Sequence, residues 1–181
     1  MKDDIKKPWI EAGYHFFAKD GPQGLKIELI AKAVFKSKSS FYHLFADLDA
    51  FIEQLLLHHQ ERAISIAAEA KACKNMVPEV LNLLISVKQD ILFDRQLRIH
   101  RNVPAFKKCF EQANGMVEEA FLEVWRDALG LKENTYLARI ILNLTVDNFY
   151  LRVTEDSLNY EWLIDFLKEI RFMVNEITKN R

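Results

Sequence analysis

Apolar residues recur along this chain every three to four positions, and no alternating run bounded by turn residues suggests a strand. The pattern predicts an all-α protein. A first helix is expected over about 4–19, with Ile5, Trp9, Ala12, Phe16 and Phe17 near one stripe. The run Asp20-Gly21-Pro22-Gln23-Gly24 stops it with stacked breakers. A short helix over about 26–34 turns Ile27, Ile30 and Ala31 inward. After a turn near Phe35, Ser37 can cap a third helix ending about Leu44. Asp47 then reads as the N-cap of a long fourth helix that carries Phe51, Ile52, Leu55, Leu56 and Ala63 and reaches the low 70s.

The remaining two-thirds reads as five or so further helices. Pro78 suits the first turn of one ending near Phe93. The stretch 94–102 is polar and basic, and reads as a solvated loop. Pro104 marks a new start, while Gly115 and Gly130 punctuate a helix carrying Phe121, Leu122 and Trp125. From Tyr136 to Val153 apolar residues point almost all round, interrupted by Asn143, Asp147 and Asn148. Leu163, Phe166, Leu167, Ile170, Met173, Val174 and Ile177 form a stripe on the last helix, with Trp162 and Phe172 off its centre. A helix apolar on nearly every side must be covered on nearly every side, and in a small chain a second subunit is the cheaper cover. Leu163, Phe166, Leu167, Ile170 and Val174 are therefore expected at a homodimer interface, the alternative being a wholly internal core helix.

Composition narrows the function less than charge distribution does. The 181 residues are half hydrophobic with five Gly and four Pro, ordinary for a globular protein of long helices. Net charge is −1, yet residues 1–45 carry +3 and the rest −4. A weakly basic head on an acidic body permits DNA binding by the head. Cys73 and Cys109 stand alone, without CxxC spacing, so neither a disulfide framework nor a zinc cluster is indicated. The five His pair with no ligand at metal spacing, and no Gly-rich phosphate loop, nucleophile elbow or paired-acid motif occurs. Neither an enzyme nor a cofactor is expected. No apolar run approaches a signal peptide or membrane span, so the expected location is the cytoplasm.

The informative stretch is Leu25–Asp49, LKIELIAKAVFKSKSSFYHLFADLD. Two short helices, the second opening Ser-Lys-Ser-Ser, have the dimensions of a helix-turn-helix. In such a unit the second helix enters the major groove with its N-terminal residues at base edges. Small hydroxyls and Lys38 suit that work, and Tyr42 and His43 can reach phosphates. A solvated helical hairpin with a serine cap fits the same residues equally well. Ile30-Ala31, then Ser37-Lys38-Ser39-Ser40-Phe41-Tyr42, then Phe45 closely resembles the DNA-binding domain of the TetR family of bacterial regulators. Ala12, Phe16, Phe17 and Gly21 match upstream, the spacing from Ile30 to Tyr42 and Phe45 agrees without a gap, and the resemblance covers roughly residues 5–52.

The resemblance implies about nine helices, a helix-turn-helix domain over 1–46, and an effector-binding and dimerisation domain over 47–181. It implies DNA contacts from Lys26, Ser37, Lys38, Ser40, Tyr42 and His43, with Phe41 and Phe45 holding the recognition helix. It departs from the family at Phe35, where Gly is usual in the turn, and at Leu48, where a Lys is usual. The Phe is expected to reshape the turn, and the Leu to remove one phosphate contact. A small-molecule pocket is also implied, for which Phe93, Phe106, Phe110, Phe121, Trp125 and Tyr150 are candidates, with Asn143 and Asp147 as polar contacts. Ordinary core packing is the competing reading of each aromatic. The function expected is a homodimeric, palindrome-binding repressor released by an effector, with no membrane partner. A helical interaction module that has lost DNA, or a small helical carrier or enzyme, are the alternatives.

Overall fold

The computed structural model describes the backbone of residues 2–179 and the side chains of residues 5–179, so the outermost ends of the two expected domains, 1 and 180–181, lie outside the described residues. Among these residues there are nine α-helices and no strand: α1 (Lys2–Asp20), α2 (Ile27–Ala33), α3 (Lys38–Leu44), α4 (Leu48–Ala72), α5 (Leu81–Ser86), α6 (Lys88–Ile99), α7 (Pro104–Ala128), α8 (Thr135–Arg152) and α9 (Tyr160–Lys179). The breakers act where expected at both Gly21 and Gly130, which take positive φ of 68° and 69° and end α1 and α7. Asp47 starts α4 as its side chain accepts the Ala50 N–H at 2.8 Å.

Four expectations fail. The helix opened by Pro78 breaks at Val87 (φ −101°, ψ 24°), and α6 then runs on to Ile99. Asp94, Gln96 and Leu97, expected in a solvated loop, are buried on α6: Asp94 and Gln96 because their polar groups find partners, Leu97 as part of the apolar core. Gly115 lies inside α7, where a Cβ would meet open space, and does not interrupt it. Ile5, expected in the α1 stripe, is exposed.

The chain forms two compact units, which do not follow the boundary expected at residues 46/47. One comprises residues 1–64 and 89–114, the other 65–88 and 115–181. The reason lies in the first core. Trp9, Phe17, Ile30 and Phe41 of the head are buried with Phe51 and Leu55 of α4, Phe93 and Leu97 of α6, and Phe106 and Cys109 of α7. Trp9 meets Phe41 edge-on at 5.7 Å and Phe41 meets Phe51 at 5.2 Å. Phe93 lies 4.4 Å from Phe17 and stacks on Tyr14 at 4.1 Å. Gly13 lets α1 and α4 close up: a Cβ there would sit 2.3 Å from the Phe51 ring. A three-helix head of about 45 residues buries too little surface to stand alone, and α4, α6 and α7 complete its core.

A polar network runs through the same unit. The Tyr14 hydroxyl donates to Asp90 Oδ1 at 2.9 Å and lies 2.6 Å from His59 Nδ1. Arg62 grips Asp90 with two bonds, of 3.1 and 2.9 Å. Asp94 accepts from Arg98 Nε at 3.2 Å and Asn114 Nδ2 at 3.0 Å, and its other oxygen is 3.4 Å from His59 Nε2. Burial and the neighbouring Asp90 carboxylate push the Tyr14 hydroxyl well above its ordinary pKa. Burial would also raise the Asp94 carboxyl, but the bonds from His59, Arg98 and Asn114 outweigh it and hold it below its usual range. The network binds α1 to α4 and α6 through groups that would be costly to bury singly.

The second unit is more aliphatic. Its core includes Val80, Leu81, Leu122, Trp125, Ile141, Leu142, Leu163, Leu167 and Val174. The Trp125 indole donates to the Ala138 carbonyl at 3.2 Å. Arg139 pairs with Glu119 at 2.7 Å and Arg152 with Glu169 at 2.6 Å, linking α8 to α7 and α9.

Candidate nucleic-acid interface

The α2–α3 pair forms a helix-turn-helix whose joints are all hydrogen-bonded. Lys26 stands at the N-cap of α2 and is exposed, and its carbonyl accepts the Leu29 and Ile30 N–H groups at 2.9 and 3.0 Å. Ser37 caps α3 in extended conformation, its hydroxyl accepting the Ser40 N–H at 3.2 Å. The Ser40 hydroxyl closes on Ser37 Oγ at 3.0 Å. Both serines therefore build the start of the helix, and their hydroxyls can turn to a phosphate only while keeping that cap. Phe41 is buried between Trp9 and Phe51, and Phe45 packs 4.8 Å from Phe51, so α3 is held on its inner face. Lys38, Ser39, Tyr42 and His43 are exposed on its outer face, with Tyr42 54% exposed.

The turn keeps its shape despite Phe35. The Lys36 N–H bonds back to the Ala31 carbonyl at 2.9 Å and the Phe35 N–H to the Lys32 carbonyl at 3.2 Å. These are the two bonds of a Schellman helix end, which requires a left-handed residue at the position that Phe35 occupies. Phe35 meets the requirement with φ of 56°. The left-handed conformation costs a residue with a Cβ roughly 1–2 kcal/mol. The ring recovers none of this by packing, being 92% exposed. The expected reshaping of the turn does not occur; the strain is carried by Phe35 instead.

Glu28 is the residue that sequence reasoning missed. Its carboxylate pairs with Lys38 Nζ, ten positions on. The Lys38 bond lowers the Glu28 pKa, and Glu28 in turn raises that of Lys38. Lys38, a DNA contact expected from the sequence, is thus paired within the head. A signal existed: Glu28 lies on the exposed side of α2 opposite the start of α3. Leu48, the other departure, packs against the head core at the start of α4, which explains an apolar residue there.

Three solved structures share this architecture. GusR of Salmonella enterica superposes with TM-score 0.61 and 19% identity over 97% of this chain and 96% of its own. A TetR-family transcriptional regulator from Rhodococcus sp. gives 0.56 and 14%, over 96% and 97%. Another from Mesorhizobium loti gives 0.56 and 13%, over 94% and 96%. The chain has the fold of TetR-family regulators. No protein-family model and no curated protein matches the sequence. At these identities the fold is what is shared, and residue roles rest on the geometry above.

Within the TetR fold the remaining candidates divide. Phe93, Phe106 and Phe110 belong to the first unit, where Phe93 and Phe106 pack into its core and Phe110 lies 5.0 Å beneath Arg98. Phe121, Trp125, Asn143, Asp147 and Tyr150 belong to the second. There Trp125 is buried, Phe121 and Tyr150 are half-buried, and Asn143 and Asp147 are exposed. Phe93 and Phe106 are core, and Phe110 is half-buried against that core. The stripe expected at a dimer interface needs a correction. Leu163, Phe166, Leu167, Ile170 and Val174 are buried inside the chain's own second unit, because α9 turns its widest apolar face toward that core. What the last two helices leave outside is different: Tyr136, Ile140, Leu144 and Leu151 on α8, and Phe172, Met173 and Ile177 on α9. Among the described residues no group of three His, Cys, Asp or Glu could hold a metal, and no helix is long and apolar enough to cross a membrane.

Proposed function

We propose that the protein is a homodimeric DNA-binding transcriptional regulator, a repressor that a small-molecule effector releases from a palindromic operator. The observation that carries this reading is α3: a recognition helix capped by Ser37, pinned by Phe41, and presenting Lys38, Ser39, Tyr42 and His43 to solvent. In this reading Lys26, Ser37, Lys38, Ser40, Tyr42 and His43 bind DNA, residues 1–46 read it, and 47–181 provide dimerisation and effector binding. Dimerisation is supported by the α8 row Tyr136, Ile140, Leu144 and Leu151, spaced four, four and seven residues apart and exposed. Large apolar side chains repeated on one outer face mark an interaction surface.

The effector site is proposed in the second unit, with Phe121, Trp125, Tyr150, Asn143 and Asp147 as its candidates. Thr145 supports this placement. Its hydroxyl is buried on α8 without a hydrogen-bond partner among the described residues, a group that a bound polar molecule could satisfy. A ligand acts only if it binds the DNA-competent and DNA-incompetent arrangements unequally.

The test is selection of binding sites from random DNA, comparing the parent with Lys38→Ala/Tyr42→Ala. Enrichment of a palindrome by the parent alone establishes the reading. The rival reading, an interaction module that has lost DNA, draws on the Glu28–Lys38 pair and on Leu48. It predicts that folded, dimeric parent enriches nothing.

A further inference from the structure

Among the described residues of the head, Phe35 is the one non-glycine residue held at positive φ, and its side chain gives the fold nothing. It holds a left-handed φ of 56° at the end of α2, where Gly or Asn would fit freely, and its ring is 92% exposed. Strain that local packing does not repay points to a role outside the fold. The ring's position narrows that role. Phe35 opens the run Phe-Lys-Ser-Lys-Ser, residues 35–39, every one of them exposed and ending in the first turn of α3. Lys32 and Lys36 flank it, also exposed, so the surroundings are cationic. The Ser37 cap lies two positions on, a chain reach of at most about 7 Å.

We infer that Phe35 is a specificity residue that reads the 5-methyl group of a thymine in each operator half-site. The inference rests on the DNA-binding reading above and deepens it. A helix-turn-helix brings the start of its second helix against base edges in the major groove, which carries Phe35 to the groove wall. Lys32 and Lys36 on either side supply the charge that a phosphate backbone would neutralise. A phenyl ring has no hydrogen-bonding group, so the only base feature it can distinguish there is the thymine methyl. DNA binding would then bury an aromatic side chain that folding leaves in water, and this repays the strained turn only in the complex.

Replacing single thymines by deoxyuridine removes the methyl and nothing else. The experiment measures the affinity of the parent, Phe35→Gly and Phe35→Asn for the selected operator, substituting each thymine in turn. For the parent, one substitution per half-site weakens binding about fourfold, the worth of one buried methyl. For both variants that substitution has no effect, and both bind the unmodified operator more weakly than the parent does, because each loses the ring in both half-sites. Thermal unfolding of both variants occurs at or above the parent's temperature, since each accepts the left-handed turn.

The inference is overturned if the variants retain the parent's sensitivity at every thymine, or bind the operator as the parent does. It is equally overturned if the variants unfold at a lower temperature, which would make Phe35 a packing residue, or if they change the oligomeric state. A folded parent that selects no DNA overturns this inference and the DNA-binding reading together. Variants that match the parent on a DNA it does select overturn only the role of Phe35.

Discussion

The two units solve the problem of an outer surface in opposite ways. The first closes its aromatic core with α1, α4, α6 and α7 and gives α3 an outer face of Lys38, Ser39, Tyr42 and His43. The second fills its core from α7, α8 and α9 and still leaves Leu144 63%, Leu151 80% and Phe172 68% exposed. A polar outer face with hydroxyls and cations fits a hydrated, charged partner. An outer face of Leu and Phe fits a partner that removes it from water. The first unit is also cross-linked internally by buried charge, whereas the ion pairs that the second places on α8 are at its surface.

The largest effect expected from breaking this contrast is at Asp94. Removing its carboxylate in Asp94→Ala leaves the guanidinium of Arg98 and the side chains of His59 and Asn114 without their acceptor. Breaking a buried pair on one side costs about 3–5 kcal/mol, and thermal unfolding should show it directly. An Asp94→Ala protein as stable as the parent would mean that the network does not hold the first unit together. The same magnitude of loss is not expected from Glu169→Ala, since the Arg152–Glu169 pair lies at the surface of the second unit.

A smaller effect on stability, but a decisive one on assembly, is expected at α8. Leu144→Glu places a charge on the exposed row and should convert a dimer to a monomer by sedimentation. The monomer's fold should survive, because surface substitutions usually stay within about 0.5 kcal/mol. By contrast, Leu167→Glu buries a charge in the unit's own core and should unfold it. A Leu144→Glu protein that remained dimeric would move the interface to another surface.

Acid offers a third, graded comparison. The Asp94 carboxyl is depressed in the folded chain, so its contribution is complete above the unfolded value of about 3.9 and is lost as pH falls through the folded one. Parent stability should therefore decline on acidification below about pH 4. Asp94→Asn, less stable at neutral pH, should decline less steeply in that window. Parallel curves for the two proteins would remove Asp94 from the acid response.

How these features stood in the sequence depends on what each one needs from the rest of the chain. Caps and breakers are local, so Ser37, Asp47, Gly21 and Gly130 were legible from neighbours alone. The Asp94 region was misread because polarity normally means solvent. Burial became affordable only through His59 and Asn114, 35 and 20 positions distant. The α9 stripe was correctly located and wrongly assigned, because periodicity gives the apolar face but not whose core it enters. Phe35 was legible as a departure from glycine. That the turn would keep its bonds and carry the strain depended on backbone geometry.

The finest test of the first unit's outer face is Glu28→Gln. Glu28 occupies Lys38 in the free protein, and both groups are exposed, so the pair contributes little to stability. Its consequence is for binding: Lys38 must leave Glu28 before it can meet a phosphate, and a carboxylate then remains near the backbone of the DNA. Removing the charge ends both penalties. Glu28→Gln should bind the selected operator more tightly than the parent while unfolding at the same temperature. If Lys38 contacts a phosphate, its release should also steepen the dependence of log affinity on log salt by up to about one unit. The double variant Glu28→Gln/Lys38→Ala should lose that gain, because without Lys38 there is no cation to release. Unchanged affinity in the single variant would show that Lys38 remains with Glu28 in the complex and that α3 reads DNA through Tyr42 and its serines. The pair would then be a strut between α2 and α3 that fixes the recognition helix.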